Sequence, residues 1–213
     1  MTRTTPAPDS RGGRGLWLYL RARHVGWVAM ALLLLTAASW WATGWLSTRT
    51  YFGGAWARPP VVGLSPLLAA VLVSATLVGA DTDLDRTAPR ITAQWRAVHA
   101  TTAALIPTVL LALVATDTPQ TFGSYALMRN SLGLTGIVLL TATIIPTVLA
   151  WAPALTYVLV AYLAAPRTPT AAAQWWAWPI QPGGPDPSWI VATSLLAAGL
   201  AAYTRYGPAR TTS

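Results

Sequence analysis

The sequence predicts an all-α membrane protein, a polytopic transmembrane helical bundle with about six spans. Of the 213 residues, 54% are hydrophobic and only 9% are charged, whereas charged residues make up about 25% of soluble domains. The apolar runs approach the ~20 residues that a helix needs to cross a bilayer. Asp81–His99, the most charged segment, separates two such runs, and it must be an aqueous loop because ions are costly in hydrocarbon.

The charge composition excludes several classes of protein. The net charge of +8 comes from arginine alone, and the chain has no lysine, glutamate or cysteine. Without cysteine there can be no disulfide, thiolate metal site or cysteine nucleophile. The arginines lie between the apolar runs rather than on one soluble face, which favours a positive-inside membrane protein over a nucleic-acid partner.

The N-terminal region divides into two parts. Residues 1–15 are rich in Pro, Gly and Arg, and we expect a disordered cytoplasmic tail; a signal peptide is the alternative, disfavoured by the long polar lead. Residues 16–24 mix aromatic and basic side chains, including Trp17, Arg21 and Arg23. This mixture predicts a helix at the headgroup level, or simply an N-terminal extension of the first span.

Residues 16–205 are predicted to form the transmembrane domain, and 206–213 a cytoplasmic tail. The predicted spans lie near residues 25–46, 61–80, 100–116, 127–149, 152–166 and 189–203. We expect the regular helix of the second span to begin at Pro66, with Ser65 as its cap. The fifth span is short, so it either borrows residues from the preceding turn, thins the bilayer or is re-entrant.

Arginine counts predict the orientation. With the N-terminus inside, the cytoplasmic segments hold ten arginines and the outer segments four, which places both termini in the cytoplasm. The ten are Arg3, Arg11, Arg14, Arg21, Arg23, Arg86, Arg90, Arg96, Arg205 and Arg210; the four are Arg49, Arg58, Arg129 and Arg167. Arginine- and alanine-rich, lysine-free usage suggests a high-GC bacterium, and hence a bacterial plasma membrane.

The loop of residues 81–99 has two interpretations. Its second half has the spacing of a short amphipathic helix, with Trp95 on the apolar face and Arg96 elsewhere. In the simpler interpretation, Asp81, Asp83 and Asp85 pair with Arg86 and Arg90 and keep the loop in water. In the functional interpretation, the loop docks a cytoplasmic partner.

No residue pattern indicates an enzyme. The only histidines, His24 and His99, lie in different segments without cysteine or glutamate, so neither a metal site nor another cofactor is expected in this chain. There is no GxSxG motif, and without lysine there is no Walker motif. Any ATP-driven role therefore requires a separate subunit.

Hydroxyl groups and prolines are the polar features of the predicted spans. The simpler interpretation is close helix packing. The alternative is a path lined by hydroxyls, with Pro107, Thr143 and Pro146 as lining or hinge residues. Every aspartate lies in a loop or tail, which disfavours proton or sodium coupling.

The chain combines a basic N-terminal segment and six short predicted spans with DTDLDRTAPR…WR at 81–96 and RNSLGLTG at 129–136. In this combination it resembles the small permease subunits of actinobacterial ABC-type exporters. The resemblance implies that two six-helix permeases, identical or different, pair with two cytoplasmic ATPase subunits. It also implies that residues 81–96 form a coupling segment and residues 16–24 an interfacial helix. The weak fifth span and the minimal reversal at 151–153 depart from that pattern.

The function expected from this resemblance is export of an amphipathic or hydrophobic cargo, because the predicted spans offer no fixed charge to hold an ion. A non-transporting accessory, immunity or sensor protein of the membrane is the alternative. A membrane enzyme ranks last for want of an intramembrane acid or base.

Overall fold

The protein folds as an all-α helical bundle, as predicted. The computed structural model describes residues 25–48, 58–77, 89–166 and 170–209. Within these ranges the α-helices are α1 (Val25–Ser47), α2 (Pro59–Leu77), α3 (Pro89–Ala112), α4 (Ser124–Thr141), α5 (Ala152–Ala164), α6 (Ala173–Trp176) and α7 (Asp186–Tyr206). Two short 3-10 turns, Thr147–Leu149 and Trp178–Ile180, precede α5 and follow α6.

Four helical stretches identify a membrane protein by their length and apolar composition. They are Gly26–Ser47, Pro59–Leu77, Thr147–Ala164 and Asp186–Tyr206. The third stretch includes the 3-10 turn before α5, so the short fifth span gains residues from the preceding turn, which is one of the predicted alternatives. Large apolar side chains point away from the protein on these helices; Leu163, for example, is 85% exposed. Contact with lipid costs such surfaces no free energy, whereas contact with water would.

Helix α4 occupies the centre of the bundle. Along it, Ala126, Leu127, Leu134, Val138 and Leu139 are all fully buried, and it packs against α2, α3, α5 and α7. Helices α3 and α4 are not among the four most apolar stretches. The apolar content of α4 is lowered by Arg129 and Asn130. Because α4 is buried among other helices, it does not need an apolar surface that faces lipid.

Contacts between helix termini show that the long helices alternate in direction. Arg58, before α2, contacts Asp117, after α3, whereas Ala209, after α7, donates its N–H to the carbonyl of Ala142, after α4. We call the end that holds Arg58 and Asp117 the Arg58 end. The opposite end, where Arg96 lies, is the Arg96 end.

Glycines bring α4 and α7 into backbone contact. A Cβ atom at Gly136 would lie 2.5 Å from the backbone of Leu195, and one at Gly199 would overlap the carbonyl oxygen of Gly136. One turn earlier on α4, Gly133 makes room for the indole ring of Trp178. Small residues of this kind drive helix association in membranes, where apolar side chains gain nothing by leaving lipid. The GLTG part of the 129–136 motif is thus a packing surface.

The start of the second span differs from the prediction. Helix α2 begins at Pro59, where a proline loses nothing because the first N–H groups of a helix have no partner, and Pro66 lies inside it. Ser65 is not a cap: its hydroxyl accepts a hydrogen bond of 2.7 Å from Ser39 of α1. This hydroxyl pair links α1 to α2, as the packing interpretation expects.

Two further helix boundaries differ from the predicted limits of the spans. Helix α3 runs unbroken from Pro89 to Ala112, so the expected amphipathic loop helix is the first part of the helix that continues into the third span. The fourth span was expected to reach residue 149, but α4 ends at Thr141. There the Thr141 hydroxyl donates to the carbonyl of Ala150 at 2.6 Å, which holds the reversal before α5.

Candidate functional site

A buried polar cluster lies at the Arg58 end of α4. The Arg129 side chain has no exposed surface and donates hydrogen bonds to three carbonyl oxygens, those of Trp178 (2.7 Å), Gln181 (2.8 Å) and Pro182 (2.6 Å). Its guanidinium also donates to the side-chain oxygen of Asn130 at 3.1 Å. We call Arg129 and Asn130 the α4 clamp, since together they hold the segment that leads into α7.

The sequence of that segment explains why it needs a donor. Residues 178–187 read WPIQPGGPDP, and each proline contributes a carbonyl but no N–H. The segment therefore has more backbone acceptors than donors, and buried carbonyls need partners. Arginine has five N–H donors and no acceptor, which makes it the complementary side chain for such a segment.

Asn130 extends the clamp to α2. Its amide nitrogen donates to the carbonyl oxygens of Val62 (2.9 Å) and Pro179 (2.5 Å). Val62 lies four residues before Pro66, which has no N–H to offer the Val62 carbonyl. One amide thus satisfies a carbonyl that proline leaves free in α2 and another in the segment before α7.

The α4 clamp bears on two expectations. Arg129 was expected near the start of the fourth span and counted with the outer segments, and the spans were expected to offer no fixed charge to hold an ion. Arg129 is a buried charge within α4, and its guanidinium is bound to carbonyl oxygens. Without Arg129 the outer arginines number three instead of four, which leaves the asymmetry intact. Two features of the sequence could have indicated this contact: a pair of polar residues at the start of an apolar run, and a proline-rich loop elsewhere in the chain.

A second charged group at the Arg58 end is an ion pair beside a cavity. Arg58 is buried and makes a bidentate contact with Asp117, at 3.0 and 2.8 Å, and donates to the Thr118 hydroxyl at 2.8 Å. Its guanidinium holds the pKa of the Asp117 carboxyl below the usual value of 3.8. A cavity of about 550 Å³ lies next to this pair, and Trp40, Trp41 and Trp45 line its other side.

The Arg96 end is organised by a contact between α3 and α7. Gly207 ends α7 with a φ of 72°, and a Cβ there would lie 2.6 Å from Nη1 of Arg96. Glycine is required for both reasons, since L side chains rarely adopt this φ. The Arg96 guanidinium thus lies at the C-terminal end of α7, where the helix dipole and unpaired carbonyls attract a cation.

The apolar face predicted for residues 81–99 continues into an exposed apolar stripe of α3. Trp95 and Val98 are about half exposed, as are Leu105 and Val109 further along the same face. A stripe at this spacing suits contact with lipid along the whole helix. Trp95 therefore occupies a position typical of a residue at the membrane interface.

The other residues predicted for the coupling segment and interfacial helix lie largely outside the described residues. This applies to Trp17, Arg21, Arg23, Asp81, Asp83, Asp85 and Arg86, and Arg90 is described only as a backbone position near the start of α3. Whether residues 81–96 dock a partner stays a prediction.

The predicted path residues do not lie together. Pro107 is buried within α3, while Thr143 and Pro146 lie in the turn between α4 and α5. The Thr143 hydroxyl donates to the carbonyl of Leu140 at 2.7 Å. Ser74, Thr76 and Thr108 likewise donate to carbonyls of their own helices, which favours the packing interpretation.

One small cavity does involve Pro107. It has a volume of about 280 Å³ and lies between α1, α2 and α3. Val28, Leu32 and Val73 form its apolar wall, and Thr76 and His99 supply polar groups. The Thr76 oxygen and His99 Nε2 are 3.2 Å apart.

No family model, curated protein or solved structure matches the chain.

Proposed function

We propose that the chain is the membrane-embedded permease subunit of an ABC-type exporter, driven by a separate cytoplasmic ATPase and paired with a second permease. The observation that carries this proposal is the continuity between the coupling segment and the bundle. Residues 81–96 end within α3, and their last residue, Arg96, lies against the C-terminal end of α7. Displacement of this segment by a partner would move α3 and α7 as rigid elements.

The packing of α7 extends this connection. Since α7 is in backbone contact with α4 at Gly136 and Gly199, and α4 holds the segment before α7 through Arg129, a force on residues 81–96 reaches the opposite end of the bundle. Rigid elements with few compliant contacts are what a transition between two discrete states requires. The arginine excess supports an orientation in which the Arg96 end faces the bacterial cytoplasm.

The chemical class of the cargo can be inferred from the polar groups and the cavity at the Arg58 end. Arg129 is fully buried and bound to carbonyl oxygens, so it is not a site for an anionic cargo. The cavity at the Arg58 end combines tryptophan rings with an ion pair, which suits an amphipathic compound. In the described part of the chain α4 fills the centre, so the transport path would form between two permease copies.

The test is purification of the tagged chain from native membranes in mild detergent, followed by protein identification and ATP hydrolysis. The proposal expects a Walker-motif ATPase in stoichiometric yield, and hydrolysis that depends on this chain. Arg86→Glu combined with Arg90→Glu should release the ATPase, whereas Arg205→Glu, at the same end but on α7, should not. Purification without an ATPase, or retention after the double reversal, contradicts the proposal.

A non-transporting membrane accessory protein is the second candidate. The filled centre of the bundle favours it, because the buried helix α4 leaves no passage through the described part of one chain. It predicts that no ATPase copurifies and that charge reversal in residues 81–96 is tolerated.

A further inference from the structure

We propose that a cavity between the first turns of α4 and α7 binds a quaternary ammonium group, either free choline or the headgroup of a choline lipid. This inference does not depend on an ATPase partner. It goes beyond the proposed function by assigning a binding site and a ligand class to a cavity that the coupling mechanism does not use.

Side chains of two helices line this cavity, which lies at the Arg58 end. Its volume of about 460 Å³ is within the range of ligand pockets, about 300–1,000 Å³. Tyr125 and Met128 of α4 and Asp186 and Trp189 of α7 line it. In each helix the two residues are three positions apart and so share a face. Because α4 and α7 both begin at the Arg58 end, their first turns lie side by side and the two faces border one space.

The loops beside the cavity are held by backbone contacts. The N–H of Gly183 donates to the carbonyl of Thr121 at 2.7 Å, and the N–H of Tyr125 donates to the carbonyl of Pro119 at 3.2 Å. A Cβ atom at Gly183 would lie 2.8 Å from the Cβ of Tyr125, so the loop before α7 is in close contact with α4. The cavity is therefore preformed, and binding does not have to order these loops.

The cavity offers aromatic surface to a ligand. Nε1 of Trp189 donates to the carbonyl of Gly183 at 2.9 Å, so the one polar atom of this indole ring is already bonded. Tyr125 is 44% exposed, and Met128 adds a polarizable thioether. Cations bind to the faces of aromatic rings, most strongly to tryptophan, and quaternary ammonium groups are the ligands typical of such sites.

Asp186 supplies a negative charge to the same cavity. Its side chain is exposed and, when ionised, accepts hydrogen bonds but does not donate them. A quaternary ammonium carries a positive charge and no N–H, so it needs a nearby carboxylate and aromatic contact but no directed hydrogen bond. A primary ammonium is strongly hydrated and would lose hydrogen bonds to water that the ring faces cannot replace.

An anion is the less suitable ligand, although helix N-termini attract anions. At the start of α4, the N–H of Ser124 donates to the carbonyl of Ala115 at 2.8 Å, and the next N–H is bonded to the preceding loop as well. In the first turn of α7, Pro187 has no N–H. The carboxylate of Asp186 would repel an anion.

Arg129 lies outside the cavity. Its guanidinium has no exposed surface and donates to the carbonyl of Pro182 at 2.6 Å, one residue before Gly183. The three carbonyl oxygens bonded to this guanidinium carry partial negative charge that offsets its own. A ligand in the cavity would contact the carboxylate of Asp186 instead.

Choline can reach the cavity from two sources. Asp186 is the first residue of one of the four candidate spans, and a span begins where the hydrocarbon core meets the headgroup region. The ligand is thus either a choline headgroup of the bilayer or a free cation from the aqueous phase.

The experiment measures saturation-transfer NMR from the full chain to the methyl protons of choline, titrated in an uncharged, deuterated maltoside detergent. The neutral isostere of choline, in which carbon replaces the nitrogen, is a competitor that keeps the shape and lacks the charge. It should displace choline at least ten-fold more weakly. Glycerophosphocholine, the headgroup of a choline lipid without its acyl chains, is the second competitor. Displacement by it as strong as by choline identifies a lipid headgroup as the source, and much weaker displacement identifies the free cation.

Variants locate the site. Tyr125→Leu removes a ring at an exposed position, so folding is not at risk, and should weaken choline binding about two- to five-fold. Asp186→Asn should weaken it about five-fold in low salt and less in high salt, whereas Asp186→Glu keeps the charge and most of the affinity. Tyr206→Leu, at an exposed tyrosine of α7 at the Arg96 end, is the matched control and should leave the affinity unchanged.

Three results would overturn the proposal. Equal displacement by choline and by its neutral isostere would show an apolar pocket without preference for a cation. Equal affinity of wild type and Tyr125→Leu, or of wild type and Asp186→Asn, would place choline elsewhere. Saturation transfer that does not reach a plateau with choline concentration would show that there is no specific site.

Discussion

The amide nitrogen of Asn130 lies 2.9 Å from the carbonyl oxygen of Val62, and this carbonyl is the one that Pro66 leaves without a helical donor. A side chain of the central helix thus replaces a missing backbone hydrogen bond of its neighbour. Prolines are tolerated in membrane helices where a neighbouring helix supplies the lost partner. The pair therefore fixes the register between α2 and α4.

Asn130→Ala should destabilise the protein by about 1–3 kcal/mol, because two buried carbonyls lose their donor. Pro66→Ala restores an N–H that can reach the Val62 carbonyl, so the double variant should lose less than the sum of the two single variants. Thermal unfolding in detergent measures the cycle. Strict additivity would contradict the proposed coupling between Pro66 and Asn130.

Arg129→Lys should be nearly as damaging as Arg129→Leu. Lysine keeps the charge but cannot present the planar fork that reaches three carbonyl oxygens and Asn130 together. We expect a loss of about 3 kcal/mol or more, the range for breaking a buried charged network. Arg205→Lys, at an exposed position of α7, serves as the control and should change stability by less than ~0.5 kcal/mol.

Gly199→Ala should prevent close approach of α4 and α7, since the added methyl would overlap the carbonyl of Gly136. Overpacking of this kind costs about 1–3 kcal/mol, and backbone is harder to displace than a side chain. Gly44→Ala in α1 is the matched control, because nothing lies within 4 Å of a Cβ there. Equal unfolding temperatures for the two variants would exclude a tight α4–α7 contact.

The Arg58–Asp117 pair should contribute to stability in a pH-dependent way. The pKa of Asp117 is lowered in the folded protein, so the contribution is present above 3.8 and is lost as the pH falls through the lowered value. Because Asp117 is 60% exposed, we expect Asp117→Asn to cost at most ~1 kcal/mol at pH 7. The difference between wild type and variant should shrink in high salt; a difference that salt and acid leave unchanged would contradict an ionic origin.

The general architecture could be predicted from the sequence because bilayer crossing requires long apolar helices, and these are visible in composition alone. Arg90 and Arg96 were assigned to a loop because they are charged. The charge of a short stretch of sequence does not show whether a helix continues through it into the next apolar run. The contacts of Arg129 could not be predicted for a different reason. Its partners are backbone carbonyls about fifty residues away. These carbonyls lack N–H partners in their own proline-rich segment, but the sequence does not show that this segment contacts α4.

Single-cysteine labelling of intact cells measures which end of the bundle faces the cytoplasm, and the chain has no native cysteine that would have to be removed first. Cysteine is placed at position 117, exposed at the Arg58 end, or at position 90, near the start of α3, and the cells are treated with a membrane-impermeant maleimide. We expect Asp117→Cys to be labelled at once and Arg90→Cys only after permeabilisation. Labelling of Arg90→Cys from outside intact cells would reverse the bundle in the membrane and contradict docking of a cytoplasmic ATPase.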